Sequence, residues 1–211
     1  MESAEELVCR RFRLLVLLGV VLVGVSKWLY LSGLLLPNLE LVIPTLVVVG
    51  SFSPSLRERG GWGWVNRYFG FLALLAVFLT DLWVWGWRPI YLFTWSGFLL
   101  AWWLGLRSGL SPFRSFPSLL GSSLITTAAA ILLFDFWTGI VGWSLLHAPL
   151  WVAFVGQVPF TLRHLSSLLF VPPLVGAVKL LVRVRVPVGV AVRAGRGIRS
   201  SVRALFRPPI L

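Results

Sequence analysis

The sequence has few charged residues and a single cysteine, and each scarcity excludes a class of protein. Charged residues make up 12% of the 211 residues, and hydrophobic residues make up 58%. A soluble domain of this size has no use for so many apolar side chains, whereas lipid-facing helices require them. We therefore predict an all-α integral membrane protein. The lone cysteine, Cys9, cannot form an internal disulfide or a cysteine metal cluster.

Motifs that carry common catalytic chemistry are also missing from the sequence. It contains no H-E-x-x-H, no P-loop, no G-x-S-x-G and no cysteine pair. His147 and His164 are too isolated to indicate a metal site, and we interpret each as a plain interfacial histidine. We therefore expect no enzyme, no metal and no cofactor, with a lipid-modifying membrane enzyme as a weak alternative. Without an ATPase motif, the chain cannot power transport by itself.

Long apolar segments recur along residues 14–181 and predict six transmembrane helices. The predicted spans are residues 14–36, 39–52, 68–87, 90–106, 118–138 and about 160–181. The second is too short for an upright span and carries Pro44, so we expect a short, bent or partly re-entrant helix. We interpret residues 139–149 as a connector and 150–158 as a short apolar piece that Pro159 stops. In the fourth span, Gly97, Ala101 and Gly105 form a small-residue stripe that favours close helix packing.

Basic residues indicate how such a bundle is oriented. Six spans place both termini and the loops at 53–67 and 107–117 on one side, which then holds 16 of the 19 basic residues. Under the positive-inside rule this side is cytoplasmic, with residues 1–13 as a cytoplasmic N-terminus. Residues 182–211 carry seven arginines and no acid. This tail predicts a basic amphipathic helix on the anionic inner leaflet, and nucleic-acid binding is the weaker interpretation.

The third span carries a carboxylate, Asp81, within an otherwise apolar run. An ionisable group at membrane depth costs about 2.5–3.5 kcal/mol, so it needs a partner or a function. Asp81, Trp85 and Arg88 follow a spacing of i, i+4 and i+7, which places them on one face of a helix. We interpret this face as the rim of a polar pocket. A structural ion pair or a snorkelling arginine is the alternative.

Acids and bases of separate spans fall at one predicted depth, in the outer half of the membrane. Lys27 lies at this depth, and Asp135 contributes a second intramembrane carboxylate. Paired charges and tryptophans would suit a small, charged, flat solute held by ion pairs and stacking. The predicted polar contacts and stacking surfaces are Glu40, Asp81, Trp85, Arg88, Asp135, Trp137 and Arg163.

Short motifs between residues 14 and 180 carry a resemblance to a known family. They are Pro37-Asn38 with Pro44, Leu79-Thr80-Asp81-Leu82 with Gly86, Ser118-Leu119-Leu120-Gly121-Ser122 through Phe134-Asp135-Phe136, and Val158-Pro159-Phe160-Thr161 with Arg163 and Leu168-Leu169-Phe170. In order and spacing they resemble the substrate-binding S components of energy-coupling factor (ECF) transporters, and a related uncharacterised family of small six-helix membrane proteins. The family typically carries Asn where Asp135 stands, and the basic tail is extra.

The resemblance implies a substrate-capture subunit in the plasma membrane of a prokaryote. It would bind a vitamin-like or similar micronutrient outside the cell and depend on a separate transmembrane coupling protein and ATPases on the cytoplasmic side. Two alternatives stay open on the residues alone. One is an ion-coupled transporter or channel in which Asp81 and Asp135 carry protons. The other is a structural membrane protein whose ion pairs fix helix register.

Overall fold

The computed structural model describes residues 4–33, 41–51, 63–110 and 114–182, and all regular structure in these ranges is helical. The α-helices are α1 (Ala4–Leu31), α2 (Val42–Ser51), α3 (Gly63–Trp85), α4 (Tyr91–Ser108), α5 (Phe116–Asp135), α6 (Trp143–Leu146), α7 (Leu150–Leu165) and α8 (Val171–Val182). A π-helical segment, Phe136–Gly142, joins α5 to α6, and a 3₁₀ segment, Ser166–Phe170, joins α7 to α8. The prediction of an all-α chain is confirmed for these residues. Glu40 and residues 183–211 of the tail lie outside the described residues.

Two helices end at glycines whose positive φ angles other residues rarely adopt. Gly86 follows α3 with φ of 65°, and Gly109 follows α4 with φ of 55°. A left-handed residue after the last turn stops a helix and lets the chain reverse direction, and glycine adopts this conformation without a Cβ clash. Gly86 therefore ends α3 before Arg88 and turns the chain towards α4.

The short helix α2 lies at the centre of the bundle. All ten of its residues are buried, and it packs against α1, α3, α4, α5 and α8. At 1.5 Å per residue it is about 15 Å long, roughly half the thickness of a bilayer's hydrocarbon core. The residue before it, Leu41, donates its backbone N–H to Ser26 Oγ of α1 at 3.0 Å. The second apolar segment is therefore short, as its sequence predicted.

The small-residue stripe of α4 lies in close helix contacts. A Cβ on Gly105 would lie 2.7 Å from the carbonyl oxygen of Val47 and 2.9 Å from its Cα, so α4 and α2 approach backbone to backbone. A Cβ on Gly97 would lie 2.8 Å from the Phe134 ring of α5. Ala101 is fully buried. The stripe thus positions α4 between α2 and α5.

Two boundary predictions were wrong. The segment interpreted as a connector, residues 139–149, continues the helix of α5 to Leu146 through the π segment. Pro159 does not stop α7, which runs from Leu150 through this proline to Leu165. A proline removes one backbone hydrogen bond, and apolar residues on both sides of it still favour the helical path. Each segment belongs to a helical rod of 31 residues, Phe116–Leu146 and Leu150–Leu180.

These two rods are the helices of the described ranges that are long and apolar enough to cross a membrane, by length and composition. Shorter apolar helices lie at Leu17–Leu31, Val42–Ser51 and Leu72–Trp85. The number of membrane spans stays a prediction.

Candidate functional site

Asp81 lies in a buried cluster that ties three helices together. Lys27 of α1 donates from Nζ to Asp81 Oδ1 at 3.0 Å, and Trp95 of α4 donates from Nε1 to Asp81 Oδ2 at 3.2 Å. The indole of Trp95 stacks on Tyr91, with ring centroids 5.4 Å apart. Both oxygens of the carboxylate therefore have a donor. Since the donors come from two neighbouring helices, the cluster fixes how α1, α3 and α4 pack.

Asp135 lies in a second buried pair, in which one carboxylate oxygen has a hydrogen-bond partner and the other has none among the described residues. A hydrogen bond of 2.8 Å joins His164 Nδ1 to Asp135 Oδ1. The two side chains are deeply buried, since Asp135 is 5% exposed and His164 is 3% exposed. The second carboxylate oxygen, Oδ2, is buried and has no hydrogen-bond partner within the described ranges. This oxygen is an acceptor that the fold itself leaves unsatisfied.

Irregular helical segments flank the Asp135–His164 pair on both rods. The π segment begins at Phe136, the residue after Asp135, and the 3₁₀ segment begins at Ser166, two residues after His164. π-helical turns occur frequently at functional sites, and a 3₁₀ stretch within a helix often marks a hinge. No comparable irregularity borders Asp81 within α3, which is α-helical from Gly63 to Trp85.

Two stacked phenylalanines separate the two pairs. Lys27 Nζ lies 5.8 Å from the ring centroid of Phe98, and the Phe98 and Phe134 rings stack with centroids 4.7 Å apart. The edge of Phe134 in turn meets the imidazole of His164 at 5.7 Å. A series of contacts from Lys27 through Phe98 and Phe134 to His164 therefore connects the two pairs, with two apolar rings between them.

The structure separates Trp85 and Arg88 from the buried carboxylates. Arg88 lies over the Trp85 ring, 5.4 Å from its centroid, and both side chains are exposed. The predicted shared face assumed that α3 continues to Arg88. It ends at Trp85, and the turn at Gly86 removes the i+7 relation to Asp81. Arg88 therefore does not share a helix face with Asp81, while a binding role for the three residues stays a prediction.

The other predicted site residues have mixed environments. Trp137 is half-buried in the π segment, donates from Nε1 to Ser96 Oγ at 2.8 Å, and packs on Phe93 with centroids 5.5 Å apart. Arg163 is exposed on α7, beside the buried His164. Glu40 lies outside the described residues. Of the predicted site residues that the structure describes, Asp81 and Asp135 are the buried charged ones.

Lys27 and His164 are the charged or titratable partners of the two buried aspartates, and neither was among the predicted site residues. Lys27 was left out of the predicted site, and His164 was interpreted as a plain interfacial histidine. The spacing of Gln157, Thr161 and His164, at i, i+4 and i+7, indicates a polar face on α7. The expected helix stop at Pro159 hid that signal. Across the described ranges, no group of three or more His, Cys, Asp or Glu side chains is arranged to hold a metal ion.

Comparisons with protein-family models, with curated proteins and with solved structures find no match for this chain. The resemblance to ECF S components therefore stays a prediction from the sequence, and the function is argued from the site.

Proposed function

We propose that this chain is a multi-pass integral membrane protein with six spans, and that its termini lie on the cytoplasmic side of a prokaryotic plasma membrane. Its surface chemistry supports this. In the most apolar window of each long rod, 22% and 28% of the residues are buried inside the protein, whereas the core helix of a soluble protein is mostly buried. Large apolar side chains such as Ile125, Leu169 and Leu180 are more than 70% exposed. Lipid is the solvent that suits such a surface.

Within this membrane body, the proposed function is uptake of a small polar solute, without chemical conversion of it. The observation that carries the proposal is the unpartnered Oδ2 of Asp135. A buried acceptor without a donor costs about 1–3 kcal/mol, so its presence calls for an explanation. A solute that presents an N–H or O–H group beside His164 would supply the missing hydrogen bond.

The capture form of this function follows the resemblance to S components. The chain would bind the solute from outside the cell, and a separate coupling protein with ATPases would meet it from the cytoplasmic side. Mass spectrometry of small molecules and proteins that accompany the chain through purification in mild detergent tests this form. We expect a bound solute and an ATPase pair with the unaltered chain, and loss of the solute in Asp135→Asn. Arg107→Gln, a change at the far end of α4 where the side chain lies over Trp103, is the control and should retain the solute. A folded chain that carries neither solute nor ATPases would contradict the capture form.

A second candidate is ion-coupled transport, and the Asp135–His164 pair favours it specifically. Histidine and aspartate are both able to bind and release a proton, and chains of such residues mark proton pathways in membrane transporters. This form needs no ATPase. Solute uptake into vesicles would then follow an imposed pH gradient, whereas the capture form alone would show no such dependence.

A further inference from the structure

The polar face of α7 leads along the π segment to His164. Gln157 contacts Thr161 through a hydrogen bond of 3.4 Å from Nε2 to Oγ1, one turn before His164. The Gln157 amide also lies directly on Gly139 of the π segment, because a Cβ built there would be 1.9 Å from Oε1. Polar groups therefore follow one another at the interface of the two rods, from Gln157 through Thr161 to the Asp135–His164 pair.

Two further polar groups lie on α5 itself, with Thr127 about 12 Å and Ser123 about 18 Å from Asp135 along the helix axis. Ser123 and Thr127 are fully buried, and within the described ranges their hydroxyl oxygens, like Asp135 Oδ2, have no hydrogen-bond partner. Three unsatisfied buried oxygens on one helix are more than packing alone explains, since such groups normally find a partner or an ordered water. The neighbouring Thr126 differs, because its hydroxyl donates to the Ser122 carbonyl at 2.9 Å.

We propose that these side chains form a proton path, with the Asp135–His164 pair as its proton-binding station. The path consists of Gln157, Thr161, His164, Asp135, Thr127 and Ser123. A proton arriving from the Gln157 side binds the free lone pair of Asp135 Oδ2 and converts the carboxylate to a carboxylic acid. Ordered water would carry the released proton over the roughly 12 Å of α5 between Asp135 and Thr127, and the release regenerates the carboxylate with no other bond changed. Hydroxyl groups suit the intervening positions because each can donate and accept a hydrogen bond.

The charged and titratable groups on the surrounding elements are engaged elsewhere. On α4, Tyr91 stacks on Trp95, and Arg107 lies over Trp103 at the far end of the helix. Arg163 of α7 is exposed, and Lys179 of α8 donates to the Arg114 carbonyl. Helix α2, the π segment and the 3₁₀ segment contain no titratable side chain. Among the residues that the structure describes, Asp135 and His164 are therefore the groups of this interface that are placed to hold a proton.

The inference rests on the proposed membrane location and deepens the ion-coupled form of the function by naming the ion and its path.

The full chain is reconstituted into vesicles of phosphatidylethanolamine and phosphatidylglycerol that contain a pH-sensitive dye. A potassium diffusion potential set by valinomycin then drives protons inward. We expect internal acidification above that of protein-free vesicles, and a fall to the protein-free rate in Asp135→Asn. Arg107→Gln, at the far end of α4, should keep the rate of the unaltered chain.

The two adjacent threonines of α5 provide a matched test of the path. Thr127→Val removes a hydroxyl that belongs to the proposed path, and we expect it to reduce the proton flux severalfold. Thr126→Val makes the same chemical change at a hydroxyl bonded within its own helix, and we expect the flux to stay unchanged. Circular dichroism and thermal unfolding establish that each variant is folded.

Three results would overturn the proton path. The first is an unaltered chain that acidifies vesicles no faster than lipid alone. The second is equal flux in Asp135→Asn and the unaltered chain, and the third is an equal loss in Thr126→Val and Thr127→Val. Failure here is distinguishable from failure of the proposed function, because solute and ATPase copurification is measured separately and without a proton gradient.

Discussion

Asp81 and Asp135, the buried carboxylates within the described residues, differ in how completely hydrogen bonds satisfy their oxygens. Asp81 receives a donor on each oxygen, from Lys27 and Trp95, within regular α-helices. Asp135 is bound through one oxygen by His164, leaves the other unpartnered, and lies where a π segment begins. A carboxylate whose two oxygens both accept hydrogen bonds from neighbouring helices stabilises the packing of those helices. A carboxylate with one oxygen left without a donor can bind a proton or a solute there.

The largest effect that this comparison leads us to expect is on stability, at the Asp81 cluster. Asp81→Asn leaves the buried Lys27 ammonium without its counter-charge and should lower the free energy of unfolding by about 3 kcal/mol. Denaturation in mild detergent, followed by tryptophan fluorescence, measures it. The double variant Lys27→Met/Asp81→Asn removes both charges and should recover most of the loss. If the losses of Lys27→Met and Asp81→Asn simply add in the double variant, the two residues are not coupled and the tie is misassigned.

A second expected effect concerns the stack that divides the two pairs. Gly97→Ala places a methyl group 2.8 Å from the Phe134 ring, so the ring must move and the Phe98–Phe134 contact weakens. We expect a loss of about 1–2 kcal/mol in the free energy of unfolding, typical of an overpacked core. Gly121→Ala on α5 is the control, because nothing lies within 4 Å of its Cβ position. It should stabilise the helix by up to about 1 kcal/mol. Equal effects at the two glycines would contradict the close contact.

At Asp135 the expected change in stability is smaller. Asp135→Asn keeps a side-chain oxygen that His164 Nδ1–H can donate to, and the atom replacing Oδ2 is as unpartnered as before. The free energy of unfolding should therefore fall by less than about 1 kcal/mol. The same denaturation series as for Asp81→Asn measures the difference. A loss at Asp135 as large as that at Asp81 would make both pairs structural.

The smallest expected effect is at the exposed Arg88–Trp85 contact. Arg88→Gln removes a cation–π interaction at an exposed site and should change the free energy of unfolding by about 0.5 kcal/mol. A change of several kcal/mol would show that Arg88 reaches the buried cluster, contrary to its position over the Trp85 ring.

The sequence predicted the buried acids and the helical class correctly, because both follow from local signals. A lone carboxylate in an apolar run stands out, and so does a ten-residue apolar segment with an early proline. The bases that pair with the acids were harder to assign. Helix periodicity suggested Arg88, but the turn at Gly86 lies between Arg88 and the helix that carries Asp81. His164 was missed because Pro159 was expected to separate it from Gln157, whereas both residues lie on the single helix α7. Those errors concern where helices end, which depends on tertiary packing as well as on local composition.

The sequence analysis gave Asp81 and Asp135 the same role, as polar contacts of one solute, and so led us to expect the same outcome for Asp81→Asn and Asp135→Asn. The structure leads us to expect different outcomes, because Asp81 has complete bonding and Asp135 does not. The difference between the two variants is therefore more informative than either variant alone.

We assign proton binding to Asp135 and a purely structural role to Asp81. The most direct test measures proton flux and thermal unfolding on the same vesicle preparations of Asp135→Asn and Asp81→Asn. We expect Asp135→Asn to unfold close to the temperature of the unaltered chain and to lose its proton flux. We expect Asp81→Asn to unfold at a clearly lower temperature and, below it, to retain flux per folded molecule. A folded Asp135→Asn variant with full flux, or loss of flux confined to Asp81→Asn, would contradict this assignment.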